Sequence, residues 1–299
     1  MLAGTNDWTN HRERGSASLI KLLAFLSLRI GRSFGRAMLY PICVYFVAFA
    51  PRARRASRAY LGVVLGRQPS IIDVFRHLHV HAGVLLDRAF IMVDGTRRFR
   101  LRIEGLEAIK HQTELKQGCI LLGAHIGSFE ILRALAEEHD VSVKVMMYLN
   151  MSQKFNQVLL ALNPSFADDI IPLGDPMSLI EAGQFVRGGG MIAILGDRTV
   201  GNEKTADAPF FGRMASFPIG PLLLSAALRV PVIFFAGLYE GRDSYCIRFE
   251  RFSDAPEGGR RNLSAEVIAG WTTRYASFLE RYCRASPYNW FNFFNIWHR

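Results

Sequence analysis

The stretch GCILLGAHIGSFE, residues 118–130, decides how this chain is read. Its apolar run, 119–122, is short, continuous and bounded by glycines, the pattern of a strand buried on both faces. Phe129, Leu132, Leu135 and Ala136 then recur at helical spacing, so a strand gives way to a helix and His125 falls in the turn between them. Working outward, FRLRIEG (99–105) and SYCIRFERF (244–252) alternate as half-buried strands. VSVKVMMY (141–148), MIAIL (191–195) and VPVIFFAGL (230–238) read as further strands. Helix-like stretches at 153–162, 177–186 and 219–228 lie among them, and a long helix runs from about 264 to 285. This alternation predicts an α/β fold, a central mostly parallel or mixed sheet flanked by helices.

Residues 19–50 have a different texture. Two apolar stretches are separated by Arg29, Arg32 and Arg36, with Lys21 inside the first. Neither reaches the roughly 18–20 apolar residues of a simple spanning helix. PRARRASR (51–58) then adds four arginines. Apolar helices flanked by arginine suit a helix lying among lipid headgroups, its guanidiniums snorkelling towards phosphates. The expected division is therefore a membrane-associating helical anchor over residues 1–60 and a catalytic domain over 61–299. A helix from 70 to about 92 follows, with Ile72, Phe75, Leu78, His79, Ala82, Leu85 and Leu86 along one stripe. His77 and His81 share a face of it, but no carboxylate or cysteine lies near to complete a metal site, and none is expected.

The 299 residues carry a formal charge of +10, and only six of the thirty-six basic residues are lysine. Such a balance suits phosphate-bearing partners, an anionic membrane surface or an acidic protein, and no nucleic acid is expected. The polar amino terminus lacks the order of a cleaved signal peptide, so export is not expected. Cys43, Cys119, Cys246 and Cys283 are scattered, and read as reduced core residues.

With the strand ending near Gly123 and the helix beginning near Ser128, His125 and Glu130 can meet at the carboxyl end of a sheet, where α/β folds place ligands. The imidazole would take a proton and the carboxylate would hold its other nitrogen. Gly123 and Gly127 would let a substrate approach the backbone. A loop histidine followed by a glutamate that only complements a helix dipole accounts for the same residues.

GAHIGSFE (123–130) also resembles the HX4D/E motif of the glycerolipid acyltransferase superfamily, in the Gly-x-His-x-Gly-x-x-Glu form of the late lipid A biosynthesis acyltransferase family. GDRT (196–199) and PFFGRMASFPIGPLLLSAALRVPVI (209–233) resemble that family's second block, in the right order. DWTNHRERGS (7–16) and SPYNWFNFFNIW (286–297) are similar to a subgroup often encoded with aryl-polyene synthesis proteins. The resemblance implies an acyltransferase that moves a fatty acyl group from a thioester to a lipid or glycolipid hydroxyl at the cytoplasmic face of the inner membrane. The implied donor is acyl carrier protein, with acyl coenzyme A as the other carrier. It makes His125 the general base and Glu130 its orienting partner, and places Asp197, Arg198, Phe211 and Gly212 at the substrate. No metal or redox cofactor is called for. The family's arginines between the two blocks hold a phosphorylated sugar; here, between Asn150 and Gly196, the chain carries only Arg187, which puts lipid A itself in question as acceptor. An ester or thioester hydrolase, with water as acceptor, and a non-catalytic lipid-binding protein are the alternative readings.

Overall fold

The structure is a computed structural model describing residues 17–139, 141–148, 153–175 and 177–297; the stretch 7–16 that carries part of the resemblance lies outside the described residues. The strands are β1 (Arg100–Glu104), β2 (Ile120–Gly123), β3 (Val143–Met147), β4 (Ile170–Pro172), β5 (Met191–Leu195), β6 (Thr205–Phe210), β7 (Arg213–Pro218), β8 (Val232–Gly241) and β9 (Ser244–Ser253). Seven form one sheet in the order β1-β9-β8-β2-β5-β3-β4, and β6 and β7 form a separate hairpin. Every pairing in the large sheet is parallel except β8 with β9. The mixed, mostly parallel sheet expected from the sequence is therefore present.

Burial on both faces explains the continuous apolar runs. Along β2, Ile120 and Leu122 join the core on one side, with Tyr60, Tyr275 and Trp290, while Leu121 joins the other, with Phe90, Ile131 and Leu135. The helices that cover these faces are α4 (Ile71–Asp94), α5 (Leu106–Glu114) and α6 (Glu130–Glu138) on the Leu121 side, and α8 (Ser178–Arg187), α9 (Gly220–Leu228) and α10 (Ala265–Ala285) on the Leu122 side. α7 (Gln153–Leu162) packs against α4. All four cysteines are free and buried.

Three helices precede α4: α1 (Ala17–Ile30), α2 (Arg32–Phe49) and α3 (Pro51–Leu65). Among the described residues no single helix is long and apolar enough to cross a membrane; α2 and α3 reach that length and composition only as a pair bent by 93°. Met38, Ile42, Tyr45 and Phe49 recur along one exposed stripe of α2, and Leu19, Leu22, Phe25 and Ile30 are exposed on α1.

The arginines of this region correct the sequence-based expectation. Arg32 and Arg36 do not reach outward. Arg32 grips Asp87 of α4 with two hydrogen bonds, Nε to Oδ1 at 2.7 Å and Nη2 to Oδ2 at 2.8 Å. Arg36 Nη2 donates to Oδ2 at 2.8 Å, and the Tyr245 hydroxyl from β9 donates to the same oxygen at 2.8 Å. Asp87 is fully buried. A carboxylate in that position needs charged donors, and arginines on a helix packed beside it are drawn inward rather than towards lipid.

α4 begins as its sequence indicates, with Ser70 and Asp73 forming a reciprocal capping box. Its buried face differs from the expected stripe: Ile72 is 73 % exposed, whereas Val74, His77 and Asp87 are wholly buried. Polar residues are accommodated there because each finds partners, so apolar spacing alone misjudges the face. The Pro-Phe-Phe-Gly block also has a different form. Phe211 (φ +52°) and Gly212 (φ +73°) make the two-residue turn between β6 and β7, the left-handed pair that right-twisted hairpins favour.

The turn after β2 is pressed on its neighbours. Gly127 has φ +65°, and a Cβ there would stand 1.9 Å from the Gly237 carbonyl oxygen of β8. Ser128 N donates to that oxygen at 2.8 Å. Gly127→Ala is expected to lower stability by about 2–4 kcal/mol, from overpacking and a strained φ together, measured by denaturant unfolding. Asp87→Ala leaves two guanidiniums without their counter-charge and is expected to cost about 3–5 kcal/mol in the same measurement.

Candidate active site

Two parallel strands set the site. β2 and β5 are neighbours, with Gly123 in register with Leu195. The ladder continues one step, Gly196 N donating to Gly123 O at 3.0 Å. His125 and Asp197 each lie two residues beyond that registered pair, so both emerge at the same place on the carboxyl edge of the sheet. His125 Nδ1 is 2.8 Å from Asp197 Oδ1, and the His125 backbone N–H donates to the same oxygen at 3.1 Å. The other oxygen, Oδ2, accepts the indole N–H of Trp290 at 2.9 Å. Since a carboxylate only accepts here, Nδ1 carries a proton and Nε2 is left as a lone pair. The imidazole is 29 % exposed against 1 % for the Asp197 side chain, and Nε2 has no hydrogen-bond partner among the described residues.

Glu130, expected at His125 from the sequence, is placed differently. It opens α6 and is buried, its Oε2 2.8 Å from Arg88 Nε and 3.3 Å from the Ser128 hydroxyl that donates to it. The carboxylate at Nδ1 is that of Asp197. Arg198 Nη2 donates to the Phe291 carbonyl at 2.7 Å, and Phe291 N donates to His125 O at 2.8 Å. Gly127 N donates to Asn289 O at 2.8 Å. The carboxyl-terminal segment thus laces the His125 turn in place. Gly123 contributes through its missing side chain, since a Cβ would meet the Phe235 ring at 2.7 Å, and its carbonyl accepts the Tyr275 hydroxyl at 2.9 Å. Phe211 and Gly212 sit at the hairpin tip, where Phe211 N donates to Glu280 of α10 at 2.6 Å and the ring lies under Arg284; their described neighbours are on α10 rather than at His125.

The electrostatics follow from burial and charge. Burial first, and then Arg198, hold the His125 imidazole below its ordinary value, against the pull of Asp197. Burial pushes the Asp197 carboxyl up, but His125, Arg198 and the Trp290 N–H together outweigh it and bring it down to about 2. Burial raises Glu130, partly offset by Arg88. The result is a neutral imidazole at neutral pH, an ionised carboxylate behind it and two guanidiniums, those of Arg88 and Arg198, in the surrounding field.

Arg88 and Trp290 were not found from the sequence. For Arg88 a weak signal existed: it follows His77 by eleven residues on α4, about 20° around an ideal helix, so both face the same side. For Trp290 the signal was its place in the family-like stretch 286–297, which says nothing of its proximity to His125. His77, considered above as a metal ligand, has both ring nitrogens engaged, Nδ1 with the Ser57 hydroxyl at 2.9 Å and Nε2 with Trp290 O at 2.8 Å. Among the described residues no group of three or more His, Cys, Asp or Glu is arranged to hold a metal. A cavity of about 250 Å³ lined by Glu107, His111 and Arg251 among others lies at the opposite end of the sheet, where β8 begins, away from His125.

No curated protein matches this chain. Residues 22–299 match the model of a family described as bacterial lipid A biosynthesis acyltransferase. The match spans both strands that deliver His125 and Asp197 and the segment that buttresses them, and the chain belongs to the bacterial lipid A biosynthesis acyltransferase family of acyl-transferring enzymes.

Proposed function

We propose that the protein transfers a fatty acyl group from a thioester, carried by acyl carrier protein or coenzyme A, to a hydroxyl of a lipid or glycolipid, with His125 as general base and Asp197 as the partner of its Nδ1. The observation that supports this most is the His125–Asp197 pair itself, with Nε2 unbonded and accessible. An acceptor hydroxyl donates to Nε2; as its oxygen attacks the thioester carbon, the proton passes to Nε2 and Asp197 stabilises the imidazolium. The tetrahedral oxyanion forms in the positive field of Arg198 and Arg88, then collapses, expelling the thiolate, which recovers the proton from Nε2. Glu130 serves by holding Arg88. Gly123 and Gly127 let the turn sit close to the sheet, and the β6–β7 tip at Phe211 and Gly212 acts away from the proton transfer.

Membrane association belongs to the same reading. The exposed apolar stripes of α1 and α2, together with exposed Arg52, Arg55 and Arg58 on α3, suit an anionic leaflet, with the helices lying in the headgroup region on the cytoplasmic face of the inner membrane. Residues 1–60 would then be the membrane-associating part and 61–299 the acyltransferase domain, α3 running across the boundary.

The test uses purified protein, the acyl thioester of acyl carrier protein or of coenzyme A radiolabelled in its acyl chain, and a bacterial lipid extract. Acylated lipid should appear, and His125→Ala should lower the rate about 10²–10⁴-fold; label released only as free fatty acid would make the protein a hydrolase instead. Because burial and Arg198 hold the imidazole below its ordinary value, kcat/KM should be level through neutral pH and fall with unit slope only on the acid side of the range where a free imidazole titrates. Asp197→Asn removes the group that pulls the imidazole upward, so its acid limb should move to lower pH while kcat falls. Val44→Glu with Phe49→Glu, both exposed on α2, should weaken sedimentation with anionic vesicles by roughly tenfold or more.

A further inference from the structure

A chain of hydrogen bonds reaches the site from the amino-terminal helices. Because a carbonyl can only accept, the contact between His77 Nε2 and Trp290 O at 2.8 Å fixes the proton of His77 on Nε2. Its Nδ1 is then an acceptor, and takes the hydroxyl proton of Ser57 on α3 at 2.9 Å. His77 and Ser57 are both wholly buried. The residue they hold, Trp290, is itself 0 % exposed, wedged edge-on between Tyr60 at 4.9 Å and Phe210 at 5.4 Å. From that position its indole N–H donates to Asp197 Oδ2, the oxygen that His125 does not use.

We infer that Trp290 is a positioning residue for acyl transfer, its indole N–H holding the Asp197 carboxylate in the orientation that presents Oδ1 to His125, with His77 and Ser57 fixing Trp290 in turn. This rests on the reading of His125 as general base. A carboxylate held at Oδ1 alone, by the ring and backbone N–H of His125, can still turn about its Cβ–Cγ bond; a donor on the opposite oxygen removes that freedom and shares the negative charge. The ring of Trp290 would be needed for packing whatever its role, so only the N–H distinguishes positioning from structure.

The charged and titratable groups facing the pair are Arg198 from its own loop, Arg88 and His81 from α4, and Tyr275 and Cys283 from α10. None of them is changed when the N–H alone is removed. Without that donor more of the charge of Asp197 falls on the imidazole, favouring its protonated form. The acid limb of kcat/KM should therefore move up, by roughly half to one pH unit, opposite in sign to Asp197→Asn. The same loss of orientation should lower kcat about 10–100-fold with KM little altered.

The experiment replaces Trp290 with phenylalanine, and separately with its benzothiophene isostere, which keeps the bicyclic ring but has sulfur in place of N–H. Trp297→Phe is the control, since the Trp297 indole N–H donates to the Phe210 carbonyl at 2.9 Å and the ring is also buried in the same aromatic cluster. An upward shift of the acid limb with a fall in kcat in the isostere, absent in the control, supports the inference. An isostere whose limb and kcat match wild type overturns it, even if Trp290→Phe fails to fold. His125→Ala in the same assay separates the two readings: if it keeps wild-type activity the general-base reading fails, whereas an inactive His125→Ala beside an unaffected isostere sinks only the role of Trp290.

Discussion

A single buried carboxylate ties this molecule together at its working end. Asp197 accepts hydrogen bonds from the His125 ring, the His125 backbone and the Trp290 indole, so three distant parts of the chain meet on two oxygens. A charge so enclosed is tolerable only when its lone pairs are satisfied, and the donors come from two parts of the chain, the His125 turn and the carboxyl-terminal segment. The parallel register of β2 and β5 delivers the first partner, and the carboxyl-terminal segment, strapped across the turn through Asn289 and Phe291, delivers the indole. Remove the register and the imidazole has no orientation; remove the strap and the turn has no roof.

Much of the scaffold was legible in the order of residues. The glycine-bounded run before His125, the alternation in β9 and the Ser70 cap of α4 are local signals, and the structure has these elements where local physics puts them. Asp197 and Arg198 were legible as residues of interest through family resemblance, but the partnership of Asp197 with His125 was not. Glu130 is five residues from His125 and invites the pairing; Asp197 is seventy-two residues away, and only the sheet order, with β5 inserted beside β2, brings it there. Sequence proximity favours the wrong carboxylate because the turn between Gly123 and Glu130 is not helical and points the two side chains to different neighbours.

The same limitation accounts for the arginines of α2. Spaced between apolar stretches, Arg32 and Arg36 look like residues destined for lipid phosphate, and nothing nearby in the chain contradicts that. Their partner, Asp87, lies more than fifty positions later in the middle of an apolar helix, where a carboxylate is costly unless it is met by charge. Conversely His77, which by spacing resembles half of a metal site, is consumed by bonds to Ser57 and Trp290. In each case the identity of the residue was informative and the direction of its side chain was not.

The clamp of Arg32 and Arg36 on Asp87 has a geometric corollary. It joins α2 to α4, and α4 carries Arg88 and His77 on towards the His125 turn, so the exposed apolar face of α2 and the imidazole are linked by one run of ion pairs and hydrogen bonds. Under the proposed membrane association and general-base role, those contacts would set the height of His125 Nε2 above the lipid plane. Such an arrangement would work as a depth gauge in that reading, picking among the hydroxyls of a crowded surface by how far each one stands proud of the plane.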